Sequence, residues 1–443
     1  MKHTPSDRTP PTIREKFDWE GATRFGGSPL LIDYAHHIGL FAQLQQGLAA
    51  HAKRDNAVYP LWQTAALLIL GRVLGLARLA AFALGEEDPL LRVTRGLRKL
   101  PDAPLLYRDL ERMGAPAPRA ALEPVQDALV AHVVGDEILR DLDTTVETVY
   151  GHQAGTAVGY NPTKHGRASY HPLVACDGRT RAALRTELRP GNTVATTAVI
   201  PFLDQVLAHL PDAPRVGGFR ADRGFQGETV FGWCEARAIP YTIKMTVSPA
   251  LQDVVDRWRF RGIGDVDGDR LEVAAGLYQA QSWTHPRRVG AIRKRVRDGL
   301  FTAYCYDYQA IVTTLPDDPE DVLHVYNHRC TMETMIGEAK AGFGIDAITS
   351  HVEDANRADL ALKGIAYHLA LAFQRDLAPP ADTPPAVPDD EPPHRLIQTV
   401  RRLLLHIPAI LVHHARGWTL RLSRPYARWG YPDWRARLEA LSA

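Results

Sequence analysis

The chain has 443 residues, 45% of them hydrophobic, and its 52 basic and 51 acidic side chains leave a formal net charge of +1. That length and apolar fraction belong to a globular protein of two or three domains with a real core. The near-zero charge excludes a global field toward nucleic acid, so any DNA surface must be a local basic patch. The four cysteines, Cys176, Cys234, Cys305 and Cys330, form no Cys-x-x-Cys pair, which argues against a zinc ribbon or a disulfide framework and fits a reducing cytoplasm. The first residues carry no apolar signal core. The most apolar run, 61–84, contains Gln63, Arg72 and Arg78. Each Arg costs about 2.5–3.5 kcal/mol near a bilayer centre, so the run reads as a buried helix and no membrane partner is expected.

Residues 28–135 read as helices. Ser28-Pro29 offers an N-cap with Pro at the first helical position, and Leu30, Leu31, Tyr34, Ile38 and Phe41 follow at helical spacing. Pro60 opens the apolar helix and Gly85 closes it. Further helices begin near Pro89, Ala103 and Ala117. A helical region of this kind either binds DNA or only packs.

At Glu137 the periodicity changes to strand alternation, Ile138-Leu139-Arg140-Asp141-Leu142-Asp143, ending in Asp143-Thr144-Thr145. A carboxylate at a strand end can point into a cleft from a rigid backbone; the structural alternative is an Asp that caps a turn. Asp141 shares the strand face and is the fallback. A turn-rich loop follows with Lys164, His165 and Arg167. A strand at 170–175, its antiparallel partner at 182–188 and a helix at 195–210 come next. The strand 216–222 ends in Asp222-Arg223-Gly224-Phe225. Carboxyl ends of parallel strands are where open α/β sheets place their ligands.

About 110 residues separate Asp222 from Glu333. A structureless loop that long is unlikely in a compact domain, so an inserted β-rich subdomain is expected, with strands at 271–277, 288–296, 301–308 and 309–315. Within it Arg293, Arg295 and Arg297 alternate along one strand face and suit phosphate oxygens, or else protect an edge strand. Trp258 and Trp283 fit core packing better than stacking on a base. Asp265-Val266-Asp267-Gly268-Asp269 lacks the glycine position and the final Glu of a calcium loop and reads as a turn.

The stretch from 326 to 340 carries Tyr326, Arg329, Glu333 and Lys340 at steps of three, four and seven. On one continuous helix these stand on one stripe. A carboxylate suits a divalent metal and flanking cations suit phosphate, so the stripe points to metal-assisted chemistry on a phosphodiester; the alternative is a solvated helix face. An apolar helix spans 355–377, a Pro- and Asp-rich linker 378–393, and an arginine-rich tail 394–443 includes a helix at 396–407.

Tyr-x2-Arg-x3-Glu-x6-Lys, together with Asp143-Thr144-Thr145 and Asp222-Arg223-Gly224-Phe225 in that order, resembles the signature of bacterial insertion-sequence transposases, most closely the thirteen-eighty group. The resemblance implies an α/β fold: a ribonuclease-H-like mixed sheet core with a β-rich insertion, flanked by helical N-terminal and C-terminal regions. The expected parts are a helical terminal-repeat-binding region at 1–135, core at 136–245, insertion at 246–318, core with the Glu helix at 319–377, linker at 378–393 and a basic helical region at 394–443. It implies that Asp143, Asp222 and Glu333 are the catalytic metal triad, holding two Mg²⁺ with Mn²⁺ able to substitute. Tyr326, Arg329 and Lys340 then clamp phosphate, with Lys164, Arg167 and the insertion arginines as further DNA contacts. The expected partners are terminal inverted repeats and target DNA, bound by a homodimer, and the expected activity is cleavage at the element ends followed by strand transfer. A related nuclease without strand transfer and a transposase-derived DNA-binding protein are the alternatives.

Overall fold

The structure is a computed structural model that describes residues 14–16, 18–53, 57–82, 88–94, 99–210, 215–266, 269–297, 304–379 and 394–442. Its central sheet has nine strands: β1 (Glu137–Thr144), β2 (Leu173–Asp177), β3 (Ala183–Glu187), β4 (Arg215–Ala221), β5 (Tyr241–Met245), β6 (Arg261–Val266), β7 (Asp269–Tyr278), β8 (Arg287–Arg297) and β9 (Tyr304–Thr313). They lie side by side in the order β6-β7-β8-β9-β5-β4-β1-β2-β3. The β1–β4 and β4–β5 pairs are parallel, and the other neighbours are antiparallel. The insertion strands are therefore not a separate subdomain; they continue the core sheet through β9 on β5. Residues 304–313 form one strand where two were expected, because the alternation runs unbroken through Tyr308-Gln309.

In chain order the main helices are α1 (Leu61–Val73), α2 (Ala103–Gly114), α3 (Glu123–Val133), α4 (Val199–Ala208), α5 (Glu228–Glu235), α6 (Pro319–Asn327), α7 (Cys330–Phe343) and α8 (Glu353–Leu377). Parallel neighbours need a crossover, and α4 and α5 supply it before and after β4. Their apolar faces, Phe202, Leu203, Val206, Val230 and Phe231, bury against Ile138, Leu142, Phe219 and Ile243 on one side of the sheet. On the other side Val174, Cys176 and Ala182 join one large cluster with α1, α2, α3, α7 and α8. That cluster also takes Ile397, Val400, Leu404, Leu405, Trp434 and Leu438 from the C-terminal region. Residues on both sides of 135 and of 378–393 thus share one core, because α8 is buried around most of its circumference.

Three further expectations change. The apolar helix ends at Val73 rather than at Gly85. Gly75 adopts φ +90 and the N–H groups of Leu76 and Gly75 reach the carbonyls of Gly71 and Arg72, a closing pattern that favours glycine in the left-handed region. The expected continuous helix over 326–340 is two helices, α6 and α7, separated at His328-Arg329. There the N–H of Arg329 bonds Tyr326 and that of Met332 bonds Arg329, each 2.9 Å and three residues back, so the turn is tighter than α and the stripe is interrupted. The C-terminal region is not purely helical. Helix Ile397–Val400 runs into a π turn at Arg401–Leu405, and a hairpin, Ala409–His414 with Gly417–Leu422, follows and takes Ala22–Thr23 as a third strand. Pro408 cannot continue the helix, β-branched Ile410, Val412 and Thr419 favour strands, and Gly417 at φ +134 makes the turn. Of the Pro-rich linker, 380–393 lie outside the described residues, as do Asp267 and Gly268 of the acidic turn. No described helix is long and apolar enough to cross a membrane.

Candidate functional site

The site begins with register. In the parallel pair β1–β4, Leu142 faces Ala221. The next residues, Asp143 and Asp222, therefore emerge side by side where both strands end. Asp143 accepts 2.8 Å from the Thr144 N–H and 2.7 Å from Nη2 of Arg329. Asp222 turns the chain out of β4, its Oδ1 accepting 2.9 Å from the Gly224 N–H. Burial lifts the Asp143 carboxyl above the usual range; Arg329 pulls it down, and the charge of Asp222 adds to the rise. The Tyr326 phenol is likewise raised by burial, Arg329 opposes, and the charges of Asp222, Asp143 and Glu333 push further upward. Tyr326 thus lies within electrostatic reach of all three acids.

Arg329 is buried, and besides Asp143 it reaches the Leu142 carbonyl at 3.3 Å. It ties the α6–α7 junction to the end of β1. Glu333 lies exposed on the first turn of α7. Lys340, a further seven residues along, donates 3.4 Å to the Val146 carbonyl, on the chain leaving β1.

The donor chemistry suits a divalent cation: hard carboxylate oxygens at two adjacent strand ends, part-exposed and mutually repelling. The fit is partial. Among the described residues no three His, Cys, Asp or Glu side chains converge closely enough to hold a metal ion. Asp143 and Asp222 form a pair; Glu333 does not close a three-ligand set with them, and Arg329 neutralises Asp143 instead.

The other sequence candidates are spread outward. Lys164 and Arg167 are exposed on a loop pinned by Asn161, which donates 2.8 Å to Thr148 Oγ1 and accepts 2.9 Å from the Lys164 N–H. Arg167 lies 5.8 Å over the Tyr150 ring. Arg293 and Arg295 are on β8, with β9 and β5 between it and β4. Arg293 pairs with Glu272 at 2.7 Å and stacks on Phe260 and Tyr306, while Arg295 is exposed. The Arg297 side chain lies outside the described residues. Trp283 is core, edge-on to Phe231 and Tyr278.

Sequence reasoning missed the support under the site. Asp141, the fallback, is fully buried and both its oxygens are taken by the Arg220 fork at 2.6 Å each. It is closed to a metal. Arg220 spends its remaining nitrogen on the Val325 carbonyl, 2.8 Å away and one residue before Tyr326. The signal was present: Asp-x-Asp and Arg-x-Asp place complementary charges two residues back on neighbouring strands. Glu147 was also missed. It is buried with no hydrogen-bond partner on either oxygen, and burial lifts it to about 8 against the pull of Lys363 and Lys340. A cavity of about 320 Å³ lies between β3, α3, α7 and α8, lined by Glu147, Met335, Ile336 and Tyr367; it touches none of Asp143, Asp222, Tyr326 or Arg329.

Comparisons with known proteins give one family match and one distant structural likeness. A family model described as "Transposase DDE domain group 1" matches residues 7–432. A solved structure, described as "Cryo-EM structure of piggyBac transposase synaptic complex with hairpin DNA", is similar at a TM-score of 0.43 and 11% identity, covering 95% of this chain and 84% of that one. No curated protein matches the chain.

Proposed function

The chain belongs to the group 1 family of DDE-domain transposases, and from that premise we propose that it cleaves DNA at the ends of an insertion sequence of the thirteen-eighty type and joins the 3′-hydroxyl ends to target DNA. The observation that carries the proposal is the emergence of Asp143 and Asp222 side by side from neighbouring parallel strands, with Tyr326 and Arg329 set against them. Asp143 and Asp222 would hold the divalent metal, with Glu333 as the remaining ligand of the family's triad. Bound there, Mg²⁺ would activate the attacking hydroxyl and neutralise charge on the leaving oxygen. Mn²⁺ is a substitute of the same hard-oxygen preference.

The rest of the work falls to this chain's own groups. Arg329 pairs with Asp143 and orients it until DNA arrives, and its fork suits a phosphate near the cut. Tyr326 is a neutral donor beside the acids, since its phenol stays protonated. Lys340 adds a cation further along α7, and Lys164 and Arg167 offer phosphate contacts beyond the end of β1. Arg293, Arg295 and Arg297 would extend the DNA track along β8. Both element ends must be held together for joining, so a homodimer on DNA is proposed.

The test uses labelled DNA carrying the element's ends, with Mg²⁺, and compares the parent with Asp222→Asn and Glu333→Gln. The proposal expects the parent to cut and join and both variants to bind without doing either. Cutting by Glu333→Gln at the parent rate would remove Glu333 from the triad. The exposed position of Glu333 favours one second reading, a chain that binds DNA without cutting it; a parent that binds these ends and leaves them intact would establish that reading instead.

A further inference from the structure

The N-terminal helices are largely consumed by packing, whereas the C-terminal hairpin is not. Residues 394–432 contain no Asp or Glu. Within that span Arg401 serves the fold, donating 2.7 Å to each of the Val73, Arg72 and Gly342 carbonyls. Arg416, Arg421, Arg424 and Arg428 are different. All four are exposed, and among the described residues none of them makes an ion pair. His413 and His414 are exposed beside them, and Trp418 and Trp429 stand 53% and 46% exposed.

The patch is held rigidly. Ala409 and Leu411 are buried at the hairpin base, Ile410 pairs with Ala22, and the Leu411 N–H reaches the Gly21 carbonyl at 2.9 Å. At the tip the His413 and Trp418 rings meet at 4.4 Å, and in the turn beyond, Tyr426 and Trp429 meet at 4.5 Å. The backbone and ring pairs that present the arginines are thus set before any ligand arrives, which lowers the entropic cost of binding.

We propose that this hairpin and the turn after it, Ala409 to Trp429, dock the sugar–phosphate backbone of duplex DNA away from the cleavage site. The inference rests on the transposase reading for its biological setting but not for its chemistry. Unpaired guanidinium forks match phosphate oxygens, and a two-stranded ribbon has the width a major groove admits. A second copy of the chain is the weaker occupant. A two-fold contact through this patch would set the same unpaired arginines against themselves, a like-charge penalty.

The experiment measures binding of the full chain to a labelled duplex of arbitrary sequence by fluorescence anisotropy across a salt series. It compares the parent, a variant with Arg416, Arg421, Arg424 and Arg428 all changed to Ala, and one with the same four changed to Lys. Thermal unfolding checks that each is folded. The Ala variant is expected to flatten the log–log salt slope by about 0.9 for each phosphate it no longer neutralises, while the Lys variant keeps most of the slope. A folded Ala variant with the parent's slope and affinity overturns the hairpin proposal and leaves the transposase reading standing. A parent that does not bind this duplex overturns the hairpin proposal; only a parent that also fails to bind the element's ends overturns both. A parent that binds DNA through the hairpin yet never cuts element ends overturns only the transposase reading. Loss of self-association in the Ala variant with DNA binding unchanged would assign the surface to a second copy and refute the proposal.

Discussion

Replacing Arg220 with Met while Asp141 stays in place strands a carboxylate that is fully buried and has just been stripped of both its hydrogen bonds, each 2.6 Å. Breaking a buried pair from one side costs about 3–5 kcal/mol. The missing bond to the Val325 carbonyl adds about 1.5–3 kcal/mol, the range for a charged donor. Replacing both partners, Asp141→Leu with Arg220→Met, removes the stranded charge and should recover most of the first cost but none of the second. The ordering is thus parent, then double variant, then Arg220→Met, with a coupling of several kcal/mol between the two positions. Urea unfolding of the full chain followed by tryptophan fluorescence gives the midpoints. The same three proteins should lose cleavage in both variants, because Arg220 also fixes the backbone beside Tyr326. Equal stability of the single and double variants would refute the argument, since it would mean that Asp141 does not need its partner. Parent-level cleavage by a folded double variant would refute the tether to α6.

Three further outcomes follow from particular contacts. Burial lifts the Glu147 carboxyl from 4.5 to about 8, so the folded chain keeps a proton that the unfolded chain releases, and stability falls as pH rises through that window. Glu147→Gln should therefore gain thermal stability over the parent near pH 8 and match it near pH 4.5; a parallel pair of pH–stability curves would sink the assignment. Arg329 lowers the Asp143 pKa against burial and the charge of Asp222, so Arg329→Gln should move the acidic limb of the cleavage pH profile upward, read from rates across a pH series; an unmoved limb on a folded, DNA-binding variant would separate Arg329 from Asp143. Gly75 holds φ +90 in the turn that closes α1, and Gly75→Ala should cost about 1–2 kcal/mol in urea unfolding, whereas an unchanged midpoint would show that the backbone relaxes there.

What the sequence could show was local. Alternation from Ile138 to Asp143 and from Val216 to Asp222 marks strands, and a carboxylate at the last residue of each follows from counting. Heptad-like spacing marked the chain around Tyr326 as helical, but spacing cannot reveal where a helix tightens. The junction at His328-Arg329 coincides with the reach of one guanidinium to Asp143 and Leu142, residues nearly two hundred positions away. The C-terminal region misled for a related reason: a tail with helical apolar spacing at its start becomes a hairpin once Pro408 stops the helix and the strand at Ala22 offers an edge.

Sequence by itself determined the chemistry on offer: which residues are acids and cations, which strand ends carry them, and in what order along the chain. Tertiary structure decided adjacency. Only the parallel register of β1 and β4 sets Asp143 beside Asp222 and Asp141 beside Arg220. Only the packing of α6 and α7 leaves Arg329 inward on Asp143 and Glu333 outward. Register and packing are long-range free energies, set by which apolar faces bury together, and no window of sequence contains both partners of such a contact.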